Sequence, residues 1–120
     1  MAFAGGVLQG LCRLVAQRMG SPVRITTTTD PRAAVDGANY IVTSIRVGGD
    51  QGRVIDERVA LRHGVLGQET TGPGGFAMAL RSIPAILSYA RLIEELSPGA
   101  WMFNFTNPAG LVTEALNRHA

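Results

Sequence analysis

An α/β fold built on a parallel sheet is what this 120-residue sequence predicts. Short β-rich segments alternate with helical patterns, the signature of strand–helix repeats. The segment NYIVTSIRV (39–47) is almost continuously apolar at its start, as strands buried in parallel sheets are. Glycine, and proline after Asp30 and Asn107, punctuate the segments where turns and helix starts are needed. With 46% hydrophobic and 17% charged residues, the composition is globular rather than disordered.

Taken in order, Leu8, Leu11, Cys12, Val15 and Met19 recur at helical spacing, and Gly20 stops that helix. Cys12 falls on the apolar stripe and reads as a small core residue. VRITTTT (23–29) is rich in β-branched residues and reads as the first strand. Asp30 is an N-cap with Pro31 at the first helical position, and Gly37 ends that short helix. NYIVTSIRV is the second strand, GGDQG breaks it, and a helix runs from Arg53 until Gly64 closes it. The longest helix is expected from Gly75 to about Leu96, with Phe76, Ala79, Leu80, Ile83, Leu87, Ala90 and Ile93 on its buried face. Pro84 inside it removes one backbone hydrogen bond, so a kink is expected there. WMFNF (101–105) is the third strand, and a last helix opens with Asn107 near its cap and Pro108 just inside.

Several function classes drop out on bulk properties. The formal net charge is +2, carried by arginine with no basic run, which is weak for a nucleic-acid binder. A single cysteine forms no internal disulfide, and no CxxC pair offers zinc ligands. The apolar start lacks a basic leader and a long unbroken apolar stretch, so it reads as an amphipathic helix rather than a signal peptide. No uninterrupted apolar run approaches the ~20 residues of a membrane span. A cytoplasmic protein is the expectation.

Ligands of open α/β sheets bind beyond the carboxyl ends of the strands. SIRVGGDQGR, NFTNPAG and the glycine-rich GQETTGPGG are the segments expected there. None is a nucleotide motif on its own: GKS/T is missing, and no GxGxxG joins a strand to a helix. Glu69 reads either as a solvated loop carboxylate or helix-end partner, or as a polar group aimed into a cleft. Arg53, at an expected helix start where the macrodipole favours acids, either holds an anion or pairs with Asp56 or Glu57. Asn107 reads equally as a helix cap. His63 and His119 stand apart from any second ligand at metal spacing.

Together, TTTTDPRAAVDGANYIVTSIRVGG, DERVALRHGVLGQETTGPGGFAMALRSIP and AWMFNFTNPAGLVTEAL resemble glycoside hydrolase family 4, in its 6-phospho-β-glucosidase branch. The resemblance covers most of the chain from about Thr26 onward. FTNPAG after a strand is also similar to lactate and malate dehydrogenases, whose Rossmann-like fold the family shares, but GVLGQETTGPGG is foreign to those enzymes. The resemblance implies a glycosidase outside the two-carboxylate scheme. Hydride passes from C3 of a phosphorylated sugar to NAD⁺, a base takes the acidified C2 proton, the glycosidic oxygen leaves, water adds, and the hydride returns. A divalent metal, typically Mn²⁺, polarises the C3 oxygen.

By the same resemblance, Asn107 contacts sugar hydroxyls near the nicotinamide and Arg53 binds the 6-phosphate. Glu69 lines the active site, in a role the resemblance leaves open, and Ser44, Ile45 and Arg46 pass along the cofactor. The glycine-rich loop belongs to the substrate-side wall. The resemblance further implies a homo-oligomer at full length. Because the pattern opens on a helix with no strand before it, residues 1–120 are expected to be part of a Rossmann-like NAD-binding domain lacking its first strands. The pyrophosphate turn would lie upstream, and the metal site and tyrosine base downstream. A second reading is a truncated gene product without catalysis, at most a weak ligand-binding or subunit-contact remnant.

Overall fold

A computed structural model describes residues 2–120, with side-chain environments from residue 6 onward. The chain divides into two compact units, residues 1–34 and 35–120.

The first unit is led by helix α1 (Ala2–Arg18). It ends as the sequence requires: Gly20 takes φ +62, its N–H bonds the Gln17 carbonyl, and the Ser21 N–H reaches back to Ala16. This paired closure satisfies two carbonyls that the helix end leaves without partners. Cys12 is exposed, which overturns its reading as a core residue. Of the stripe, Leu8, Leu11, Val15 and Met19 are exposed as well, whereas the neighbouring Ala16 is buried.

VRITTTT forms no strand. β-branched residues favour extended backbone, but a strand exists only through a ladder partner, and none stands beside 23–29 among the described residues. Side chains of α1 supply a substitute. Arg13 donates from Nε at 3.2 Å and from Nη2 at 2.9 Å to the Ile25 carbonyl, and Gln9 adds a third bond at 3.3 Å. Helix α2 (Pro31–Val35) is capped as expected, with Asp30 Oδ1 accepting from the Arg32 N–H at 2.9 Å.

In the second unit, β1 (Tyr40–Thr43) pairs in parallel with β2 (Trp101–Asn104), Tyr40 opposite Trp101 and Thr43 opposite Asn104. Helices α3 (Gly49–Arg62) and α4 (Gly72–Leu96) lie between them in the chain, and α5 (Ala109–His119) follows. The parallel α/β reading therefore holds, with two strands where three were expected and β1 four residues long rather than nine. Residues alternate across the sheet: Ile41, Thr43, Met102 and Asn104 turn toward covered surroundings, while Tyr40, Val42, Trp101 and Phe103 are exposed.

Helix α4 packs against both α3 and α5. Its buried line is Gly75, Ala79, Ser82, Ile86, Ala90 and Ile93, at spacings of three and four. Ala79, Ala90 and Ile93 of the expected face are therefore buried, but Phe76 and Leu80 are each 61% exposed, and Gly75 and Ser82 sit inside instead. Those small residues let the neighbouring backbone come close. By length and composition α4 could cross a membrane. Its packing against two helices and its buried Ser82 make it the core helix of this unit. The helix runs through Pro84 without interruption.

A buried hydroxyl helps to join the entries to both strands, beside the Trp101 N–H on the Asn39 carbonyl at 2.9 Å. Ser97, 7% exposed, donates to the Val35 carbonyl at 2.6 Å and accepts from the Ala38 N–H at 3.2 Å. It thereby ties the turn leading into β1 to the turn leading into β2. Ser97→Ala removes both hydroxyl bonds but leaves the Ala38 N–H on the Val35 carbonyl at 3.1 Å, and we expect a loss of about 0.5–1.5 kcal/mol in urea unfolding of this chain. Ser88→Ala, which removes an exposed bond to the Ala85 carbonyl, should change stability far less. Equal losses in the two variants would contradict the role given to Ser97.

Candidate functional site

The carboxyl ends of β1 and β2 leave the sheet side by side, and a second buried hydroxyl holds them there. Thr106, 1% exposed, accepts the Ile45 N–H on its Oγ1 at 3.1 Å, and the Phe105 N–H donates to the Thr43 carbonyl at 2.8 Å. Asn104 completes the knot, its Oδ1 accepting from the Thr43 hydroxyl at 3.2 Å and from the Thr106 N–H at 3.0 Å. Thr106 and Asn104 escaped the sequence reading. The available signal was a threonine directly after a strand, a residue type that readily bonds neighbouring backbone.

This arrangement opens a cleft of ≈ 370 Å³ lined by Ser44, Ile45, Arg46, Glu69, Met78, Phe105 and Asn107. Five of these seven residues were expected at the site from sequence. Met78 and Phe105 were not: Met78 lies off the face expected to be buried, and Phe105 was read only as the end of the third strand. Asn107 does not cap α5: Pro108 occupies the N-cap position and no side-chain cap bond forms. Asn107 instead stands exposed on the cleft wall, joined to Pro108 through a cis peptide bond.

Glu69 is the charged centre of the cleft. Its side chain is 19% exposed, with Arg46 Nη1 at 3.0 Å from Oε1 and Arg53 Nη1 at 3.4 Å from Oε2. The solvated-loop reading therefore fails. Arg53 does not line the cleft itself. Its Nε donates to Glu57 Oε1 at 2.7 Å, so the guanidinium bridges Glu57 and Glu69. The hydrogen bond to Glu57, then the charges of Glu57 and Glu69, raise the Arg53 guanidinium further above its already high value. The helix-start argument for Arg53 also falls, because α3 begins four residues earlier, at Gly49, behind a left-handed Gly48 with φ +88. Arg53 sits in the second turn, one turn before Glu57, in an ordinary i,i+4 pair. Asp56, the other partner weighed for it, belongs to Arg81 instead, bonded at 2.9 Å through Nη1 and again through Nη2.

The glycine-rich loop packs against backbone. A Cβ at Gly67 would overlap the Glu57 carbonyl of α3, and at Gly74 and Gly75 it would overlap the carbonyls of Gln68 and Thr70. Of GQETTGPGG, only Glu69 reaches the cleft. Among the described residues, no group of three His, Cys, Asp or Glu is placed to hold a metal ion.

A model of the family described as Family 4 glycosyl hydrolase matches residues 6–120. A probable 6-phospho-beta-glucosidase of Bacillus subtilis is 51% identical over 110 residues, covering 92% of this chain and 25% of its own length. The 6-phospho-beta-glucosidase of Escherichia coli is 46% identical over 113 residues, at 94% and 25% coverage. Among solved structures, a 6-phospho-alpha-glucosidase from gut microorganisms in complex with NAD and Mn²⁺ superposes with a TM-score of 0.82 at 36% identity, covering 89% of this chain and 24% of that one. The Thermotoga maritima 6-phospho-beta glucosidase with NAD and glucose-6-phosphate gives 0.74 at 40% identity, with 77% and 22% covered. The chain spans about a quarter of the length of these relatives.

Gly74→Ala should destabilise the chain by ~1–3 kcal/mol, the usual cost of forcing extra atoms into packed structure. Gly99→Ala meets nothing within 4 Å and should be tolerated. Chemical unfolding of both variants checks this, and a tolerated Gly74→Ala would mean the loop is not held by backbone contact.

Proposed function

The chain belongs to the family 4 glycosyl hydrolases, and from that premise we propose that its strand-end cleft forms part of the NAD and sugar site of a 6-phospho-β-glucosidase. The observation that carries the reading is the convergence of Ser44, Ile45, Arg46, Glu69 and Asn107 on one cleft where two parallel strands end. Support for the substrate and cofactors comes from relatives solved with NAD, manganese and glucose-6-phosphate. The β anomer is favoured because the two relatives cited at 51% and 46% identity are 6-phospho-beta-glucosidases, while a 6-phospho-alpha-glucosidase of Lacticaseibacillus paracasei is 44% identical.

The cleft fits a nicotinamide cofactor chemically. Exposed Ser44 and Asn107 offer hydrogen-bonding groups, and Ile45 and Phe105 offer apolar surface. NAD, when bound, supplies a hydride acceptor and donor. Ser44, Ile45 and Arg46 lie along it in this reading. The Asn107 amide can donate to one sugar hydroxyl and accept from another, which orients the ring. Arg53 meets the 6-phosphate, a phosphate oxygen replacing Glu69 Oε2 on its Nη1. Glu69 meanwhile holds Arg46 in the wall. The described residues offer no donor set for manganese. This segment alone should not turn over a glycoside.

The test is a graft: residues 6–120 placed in the Bacillus subtilis relative in place of its matching segment. The grafted enzyme should hydrolyse a chromogenic 6-phospho-β-glucoside in an NAD-dependent manner and prefer it to the α anomer. Arg53→Ala in the graft should raise KM for the phosphorylated sugar roughly ten- to a hundred-fold, the loss of about 1.5–3 kcal/mol, with KM for NAD⁺ little changed. A folded graft with unchanged sugar KM would return Arg53 to a purely structural ion pair.

A further inference from the structure

Arg81 lies outside the cleft, yet it holds the turn that delivers Arg46 into it. The guanidinium closes a two-pronged pair with Asp56, itself only 8% exposed, and donates from Nη1 to the Ala77 carbonyl at 3.3 Å. Its Nε points the other way, to the Val47 carbonyl at 3.4 Å. Val47 directly follows Arg46. Two glycines flank the same guanidinium. A Cβ at Gly48 would lie 3.3 Å from Arg81 Nε, and one at Gly52 would lie 3.3 Å from Nη2. The turn is closed on itself by Gly49 N–H to Arg46 O and Gly52 N–H to Gly48 O. The spacing in VGGDQG therefore has a reason: the turn's backbone lies flush against a planar cation rooted in α4.

We propose that Arg81, anchored by Asp56, is a positioning residue that clamps the 46–52 turn and so keeps Arg46 on Glu69 at the cleft wall. Arginine suits the task because its fixed fork serves a carboxylate and a carbonyl at once. Lysine, a single rotatable point charge, serves one. Its consequence for catalysis rests on the cleft being the ligand site, but the clamp itself is readable without any ligand.

The experiment uses the 120-residue chain with its arginine side chains observed by ¹⁵N NMR. Glu69→Gln first sets the Arg46 guanidinium signal without Glu69, its Nε still 3.5 Å from Asp50 Oδ1. In Arg81→Lys, the Arg46 signal should move most of the way to that position, and the Gly49 and Gly52 amides should exchange at least about tenfold faster. The Phe105 amide, held by β1, should keep its rate. If Arg81→Lys does not fold, Gly52→Ala tests the clamp from the turn side. Alanine is the better helix former there, so a shift of the Arg46 signal toward the Glu69→Gln position in that variant reflects displacement of Arg81. An Arg46 signal left in place in the folded variants, or exchange accelerated uniformly along the chain, overturns the proposal. Failure of the graft with the clamp intact would remove the cleft's function and leave the positioning of Arg46 standing.

Discussion

The Thr106 hydroxyl bonded to the Ile45 N–H is the interaction on which the site depends. Two parallel strands of four residues each form a small ladder. So small a sheet has little stability of its own. Here it is pinned outside its own ladder at both ends, by Ser97 where the strands enter and by Thr106 where they leave. Each hydroxyl spans about sixty residues of sequence, joining segments that α3 and α4 separate. The exit pin sets Ser44, Ile45 and Arg46 beside Phe105 and Asn107. Without it, only the Phe105 N–H on the Thr43 carbonyl and the Thr43 hydroxyl on Asn104 would tie the two walls together.

On that frame the charges are arranged economically. Glu69 serves Arg46 and Arg53, Glu57 takes the remaining side of Arg53, and Asp56 serves Arg81. Partly exposed pairs of this kind add little stability individually. Their value is directional: they fix where cationic groups stand. The glycines around them have the same character. Gly67, Gly74 and Gly75 let backbone meet backbone, and Gly48 and Gly52 let backbone meet a guanidinium.

Much of this was legible in sequence, and the exceptions share a cause. Caps and helix stops were readable because their chemistry is local: Asp30 before Pro31, Gly20 and Gly64 in left-handed turns. The alternation that gave the α/β class is local as well. VRITTTT failed because a strand needs a neighbour, and propensity says nothing of one. Cys12, and Phe76 and Leu80 on α4, failed because periodicity locates a stripe but not what covers it, whereas Ala79, Ala90 and Ile93 are buried as expected. At the site, long quoted words carried Ser44, Glu69 and Asn107 to the family and to one cleft. Thr106 and Arg81 stayed hidden, since their partners lie 61 and 34 residues or 25 residues away.

The most direct test of the account is amide exchange at Ile45 and Phe105, combined with nuclear Overhauser contacts, in the 120-residue chain. Both amides should exchange as slowly as those inside the β1–β2 ladder, and the Ile45 amide should show a contact to the Thr106 side chain. Thr106→Val should release Ile45 while leaving Phe105 protected. Rapid exchange of Ile45 in the unaltered chain, with no contact to Thr106, would mean that the Thr106 pin is not made and that nothing holds Ser44, Ile45 and Arg46 in their place at the cleft.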